Sequence, residues 1–245
     1  MDHSGPHNRR DVNPDQAFDI LGETPDLIAV GKPAGLLVHP TKPNGPRTLW
    51  DGLRDLLGYE LANGGQVSLI NRLDRETSGA VLVAKSSAAA RMAAMAMQEG
   101  KIHKSYLAIV HGWPDGEFEV DAPIIRLGEV APTDIHLRRA VHPSGARSLT
   151  RFRVVKQFER AEGRFSLVAA EPLTGRTHQI RVHLAHSGHP VVGDNLYGKT
   201  EVLLIERHAL HAKSLHFRHP VKGQMVFVDT DLPEDMQELI RKISE

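Results

Sequence analysis

Short apolar runs bounded by chain breakers recur along this chain and restrict what it can fold into. Leu27-Ile28-Ala29-Val30 is stopped by Gly31-Lys32-Pro33-Ala34-Gly35, and further runs follow at 67–70, 80–84, 106–110, 150–156 and 165–170. Runs this short, rich in β-branched and aromatic residues, read as strands. Two more are expected at 215–217 and 225–228. Helical spacing is rarer. It predicts a helix over 48–57, with Leu49, Leu53, Leu56 and Leu57 on one face. A second is capped by Ser86 or Ser87 and runs to Met97, with Gly100 just past its end. A third, over 178–186, is opened by Thr174-Gly175-Arg176-Thr177 and closed by Gly188, and a short one follows Pro233. Strands outnumber helices and connections are short. The pattern therefore predicts one α+β domain, a mixed, mostly antiparallel sheet flanked by helices and loops. Residues 1–24 read as a mobile polar tail, 25–230 as the domain and 231–245 as a C-terminal helix.

Composition narrows the chemistry. Apolar content of 40% and charged content of 24% suit a globular protein with a sizeable core. The absence of cysteine excludes disulfides, thiolate zinc sites and a cysteine nucleophile, and fits a reducing, cytoplasmic setting. No apolar run approaches the roughly 20 residues that span a bilayer, and the first ten residues lack the apolar core of a signal peptide. The formal net charge of +0 conceals an uneven distribution: residues 135–190 carry ten Lys/Arg against three acids, while 229–245 carry six acids against two bases. Such a basic stretch is either a phosphate-binding face or a mixed solvated surface.

Within Asn71-Arg72-Leu73-Asp74-Arg75-Glu76-Thr77-Ser78-Gly79, one carboxylate stands between two arginines and a turn leads into an apolar strand. A flanking cation favours the ionised acid, which serves equally as a surface ion pair or as a nucleophile or base. In the helix near 178–186, Ile180 and Leu184 share a face, and His178 and Arg181 lie one turn apart beside it. Arg176 at the helix start can reach a phosphate held by free backbone N–H groups. An arginine turned toward the core requires a carboxylate partner, and Asp74 is a candidate. His183, His186 and His189 cannot share one helical face, which leaves little for a metal. Gly193-Asp194-Asn195-Leu196-Tyr197-Gly198-Lys199-Thr200 satisfies the P-loop pattern literally, but Asp194 would place an anion in the phosphate nest. Lys101-Ile102-His103-Lys104-Ser105-Tyr106 leads basic residues into a strand tyrosine, either core or a stacking platform for a base.

Taken in order, these blocks resemble the RluA-type pseudouridine synthase family. Lys32 to His39, Arg72 to Gly79, Lys104 to Gly112, Thr174 to His183, Gly193-Asp194 with Tyr197-Gly198, Leu210-His211-Ala212 and His219-Pro220 carry the resemblance over about residues 25–230. One departure is Asn71, where the family usually has histidine. The resemblance also lacks the small basic RNA-binding domain that often precedes the catalytic domain.

The resemblance implies the pseudouridine synthase fold and a cofactor-free isomerase without metal, acting as a monomer on structured rRNA or tRNA, with no membrane partner. The N1–C1′ bond of a uridine breaks, the base turns and C5 bonds to C1′. Asp74 would be the essential nucleophile or base, attacking C1′ or removing the C2′ proton. Arg181 would pair with it, and Tyr106 would stack on a uracil flipped out of the RNA and help remove its C5 proton. Arg72 would fill the gap or hold the flipped nucleotide. Lys104, Arg176, His178 and the basic segment 138–153 would hold the RNA. Two other classes stay open. An inactive RNA-binding module keeps the basic face but does not need Asp74 beside Tyr106 and Arg181. A P-loop NTPase would depend on ATP, magnesium and Lys199 and ignore Asp74→Asn.

Overall fold

The structure is a computed structural model that describes residues 17–42, 45–161, 163–198 and 204–245. Its strands are β1 (Asp19–Glu23), β2 (Leu27–Lys32), β3 (Ser68–Leu69), β4 (Ser78–Ala84), β5 (Ile102–His111), β6 (Glu117–Asp121), β7 (Ile124–Arg126), β8 (Arg139–Val141), β9 (Leu149–Arg160), β10 (Gly163–Pro172), β11 (Leu210–Arg218) and β12 (Met225–Asp229). The helices are α1 (Leu49–Leu56), α2 (Gly58–Ala62), α3 (Ser87–Gln98), α4 (Gln179–His186) and α5 (Glu234–Ser244). One large sheet runs in the order β1-β2-β4-β11-β5-β10-β9-β6, with β12 added to β11 and β3 to β4, while β7 and β8 form a separate ribbon. Among the described residues only β4 and β11 pair in parallel, so the sheet is mixed and mostly antiparallel, as the strand spacing predicts.

The apolar runs are continuous because the sheet is covered on both faces. Ile28, Val30, Val81 and Val83 pack in one core cluster with Leu49, Leu53 and Leu57 of the α1 segment, Ile180 and Leu184 of α4, and Met236, Leu239 and Ile243 of α5. The alternate residues Leu27, Ala29, Ala80, Leu82 and Ala84 pack with Ala89 and Ala93 of α3. Thr48 caps α1 reciprocally with Asp51, and Ser86 caps α3. No helix among the described residues is long and apolar enough to cross a membrane.

Several expectations change. The polar tail ends earlier than residue 24, because Asp19–Glu23 pairs with β2 and Phe18 is buried; residues 1–16 lie outside the described residues. The 231–245 helix forms but shares the main core rather than standing apart. Leu56, the last residue of α1, turns outward at 37% exposed, while Leu57, the C-cap, is buried. β6, β7 and β8 have no counterpart in the sequence reading.

Register positions the site. Gly79 on β4 pairs with Ala212 on β11, which pairs with Tyr106 on β5, which pairs with Ala170 on β10. Small residues thus flank the Tyr106 position on both neighbouring strands. Gly79 has φ +117, and a Cβ there would lie 2.2 Å from the Ala212 carbonyl oxygen, so only glycine lets β4 and β11 approach this closely.

Candidate active site

Asp74 lies in the turn before β4, and side chains from three parts of the chain hold that turn. Asn71 is buried and uses both ends of its amide on β4: Nδ2 donates to the Ala80 carbonyl at 3.1 Å, and Oδ1 accepts from the Leu82 N–H at 2.8 Å. The fully buried Lys32 donates to the carbonyls of Pro33 (2.8 Å), Leu36 (2.9 Å) and Arg75 (2.9 Å). Burial lowers its ammonium to about 8. From below, Arg207 donates to the Glu76 carbonyl at 3.0 Å and forks onto Asp235 of α5 at 2.6 and 2.9 Å. His208 Nε2 meets Thr77 Oγ1 at 2.8 Å, and His211 Nδ1 meets Ser78 Oγ at 2.9 Å.

The partner of Asp74 is not a neighbouring arginine. Arg72 is exposed, and Arg75 donates to the Gly35 carbonyl and contacts Glu76. Arg181, 4% exposed in its side chain, instead reaches Asp74 Oδ2 through a terminal nitrogen at 2.9 Å. Its other edge grips the fully buried Asp194 at 2.7 and 2.8 Å. Burial acts to neutralise Arg181, but Asp194 and then Asp74 outweigh it and raise its pKa. For Asp194 burial likewise opposes ionisation, and the Arg181 fork prevails and lowers its pKa. Asp194 also accepts the N–H groups of Leu196 and Tyr197 at 3.0 and 3.2 Å. The P-loop-like segment is therefore an anchor for Arg181; Lys199 and Thr200 lie outside the described residues.

Tyr106 is buried beside Asp74. Burial first, and the Asp74 charge second, push its hydroxyl up, so it is a neutral phenol. A neutral phenol is a poor acceptor for a C5 proton. Lys104 is half-buried on the same strand, with its ammonium lowered by burial. Arg176 is exposed but donates through Nε to the Arg147 carbonyl at 3.1 Å, and its own N–H is taken by Gln179 Oε1 at 2.9 Å. The expected set of free N–H groups at the start of α4 is thus partly used. His178 was expected at the RNA, yet its ring faces inward: 8% exposed, with Nδ1 2.7 Å from Tyr197 Oη and Nε2 3.7 Å from Asp74 Oδ2. It holds a left-handed backbone, φ 58 and ψ 17, which costs a non-glycine residue on the order of 1–3 kcal/mol.

The histidines divide. His183 Nε2 must donate to the Ala122 carbonyl at 3.0 Å, so Nδ1 accepts from Thr150 at 2.9 Å, and no ring nitrogen is left for a metal. His189 Nδ1 meets the His111 carbonyl and His186 is exposed. Of the basic stretch, Arg151 pairs with Glu119 from outside it and Arg164 with Glu159 within it, both at the surface. Sequence reasoning missed Asp194, Tyr197, Arg207 and His208. The Gly-Asp beside a tyrosine was visible, but only the five-donor demand of a buried arginine gives Asp194 its purpose.

Known proteins resemble this chain over most of its length. The family model described as RNA pseudouridylate synthase matches residues 26–186. The ribosomal large subunit pseudouridine synthase D of Zymomonas mobilis is 34% identical over 243 residues, covering 94% of this chain and 74% of that protein. That of Nitrosomonas europaea is 38% identical over 235 residues, covering 91% and 64%. Among solved structures, human RNA Pseudouridylate Synthase Domain Containing 1 aligns with a TM-score of 0.70 at 27% identity, covering 93% of this chain and 95% of that one.

Proposed function

The chain belongs to the RNA pseudouridylate synthase family, as an RluA-type isomerase that converts uridine to pseudouridine in RNA, and from that premise we propose that Asp74 opens the reaction on a uridine flipped out of structured RNA. One observation carries the reading: a buried arginine holds at 2.9 Å a carboxylate that remains 24% exposed, beside a buried tyrosine. The 2.9 Å contact with Arg181 fixes the position of Asp74 and leaves its carboxylate partly open. The carboxylate attacks C1′ or removes the C2′ proton, and either step releases the uracil from C1′. The base turns over Tyr106 while the alanines beside that ring leave it room. C5 then bonds to C1′, as the Asp74–C1′ bond breaks on the first route or C2′ regains its proton from Asp74 on the second; the C5 proton leaves and N1 takes one up, so Asp74 is regenerated, the product is an isomer and no co-reactant is consumed.

Arg72, exposed beside Asp74, fills the gap left by the flipped nucleotide, and Lys104 and Arg176 hold the backbone with the basic residues of 138–153. The relatives named for the ribosomal large subunit favour rRNA over tRNA as substrate and a cytoplasmic setting. Asp74→Asn tests the reading: pseudouridine formation, followed by mass spectrometry of the RNA, falls to background while folding and RNA binding are retained. Activity that survives the substitution would refute it. Mapping the pseudouridines lost from total RNA of a deletion strain identifies the target.

A further inference from the structure

His178 has the most unusual backbone at the site and no part in the steps above. It is the only described non-glycine residue with positive φ. That conformation directs its ring into a chain of polar groups. The backbone N–H of Arg139, on β8 of the separate ribbon, donates to Tyr197 Oη at 3.0 Å. Tyr197 Oη lies 2.7 Å from His178 Nδ1, and His178 Nε2 lies 3.7 Å from Asp74 Oδ2. The Arg181 guanidinium sits 5.1 Å from the centre of the Tyr197 ring, so the tyrosine is held between the ribbon and the ion pair.

We propose that His178 is a positioning residue for Asp74, locked by Tyr197 and the β7–β8 ribbon in the tautomer that points its Nε2–H at the Asp74 carboxylate. The hydrogen-bond directions decide the tautomer. Tyr197 Oη already accepts from Arg139, so its own proton is available to Nδ1. The opposite tautomer leaves that proton without a place in the chain and turns the Nε2 lone pair on an anion. The charged groups facing the ring are Asp74, Asp194, Arg181 and Arg139. Burial lowers its pKa and the two arginines add to this against the two acids, so the ring is neutral and carries one N–H. At 3.7 Å the N–H attracts the carboxylate without a full hydrogen bond. A small side-chain movement closes that gap, giving Asp74 a second donor beside Arg181. The ribbon is thereby wired to the reacting carboxylate.

This inference rests on Asp74 as the reacting group, and its test separates the two. Long-range 15N–1H correlation spectra of the labelled full chain, with the His178 signal assigned by its loss in His178→Gln, read the tautomer without any turnover. The parent is expected to show Nε2–H, and Tyr197→Phe a shift toward Nδ1–H. With saturating RNA, Tyr197→Phe and His178→Ala should each lower kcat about tenfold, the scale of one lost hydrogen bond to a charged group. KM should stay unchanged. His178→Gln, which restores an N–H near the Nε2 position, should recover most of the rate. An Nδ1–H parent, or equal losses in all three variants, overturns the proposal. If instead Asp74→Asn keeps its activity, the reading of Asp74 fails while the tautomer result stands.

Discussion

Arg181 has more donors than Asp74 can accept, and Asp194 takes the surplus. The guanidinium lies almost fully buried between two carboxylates, one closed off at 0% exposure and one open at 24%. Those two acids do different work. Asp194 compensates the buried charge and fixes the plane of the fork, while Asp74 keeps one oxygen edge toward the opening. Removing one partner of a buried pair typically costs about 3–5 kcal/mol, because the other charge is left unmatched. Asp194→Ala should therefore destabilise the protein by about that amount in urea unfolding, and lower kcat as Arg181 swings away from Asp74. Asp74→Asn should cost far less stability, since Asp194 still holds Arg181. Equal losses in the two variants would contradict this division. The Asp74–Arg181 pairing was legible in the sequence because an arginine on a core-facing helix must find an acid. Asp194 was not, because its local pattern imitates a phosphate loop.

At the scale of elements, the site depends on how closely β11 approaches the turn that carries Asp74. Arg207, His208 and His211, on and just before β11, bind the consecutive positions Glu76, Thr77 and Ser78. The parallel pairing of His211 with Ser78 and Ala212 with Gly79 continues that grip into the sheet. Gly79→Ala places a methyl 2.2 Å from a backbone oxygen at a φ that alanine rarely adopts. The strands must separate, and a loss of about 4 kcal/mol or more is expected, with the unfolding midpoint as the readout. A midpoint near that of the parent would mean that the β4–β11 contact is not needed. β4 and the 106–110 part of β5 were legible because they read as unbroken apolar runs, whereas only the 215–217 end of β11 was, since His211, Lys213 and Ser214 interrupt its apolar pattern. β6 was not: Glu117-Phe118-Glu119-Val120-Asp121 sits at the sheet edge with three of its five residues exposed. The β7–β8 ribbon lacks even that alternation, since its ends are set by turns and by Tyr197 from far along the chain. β1 escaped because its pairing with β2 makes a strand of a polar segment.

At the scale of the whole molecule, the same buried histidines tie stability to pH. Burial drives His208 to about 3 and His211 to about 4, and the neighbouring arginines push in the same direction. In the unfolded chain a histidine takes up its proton near 6.5. Between those limits the unfolded state binds protons that the folded state refuses, so their contribution is intact above about pH 6.5 and lost as pH falls toward 4 and 3. Each such group steepens the loss by up to about 1.4 kcal/mol per pH unit. His111, His178, His183 and His219 are lowered as well, all with burial as the leading cause. The Asp194 carboxylate, by contrast, is held below its ordinary range and loses its contribution only in more acid solution. Histidine and carboxylate effects are therefore separable by pH. The urea midpoint should fall between pH 7 and pH 5, above the range where carboxylates titrate, and replacing His208 and His211 together by asparagine should flatten that fall. A midpoint that is level from pH 7 to pH 5 would mean that these rings accept protons within the fold, and that the strap beneath the Asp74 turn is open to water.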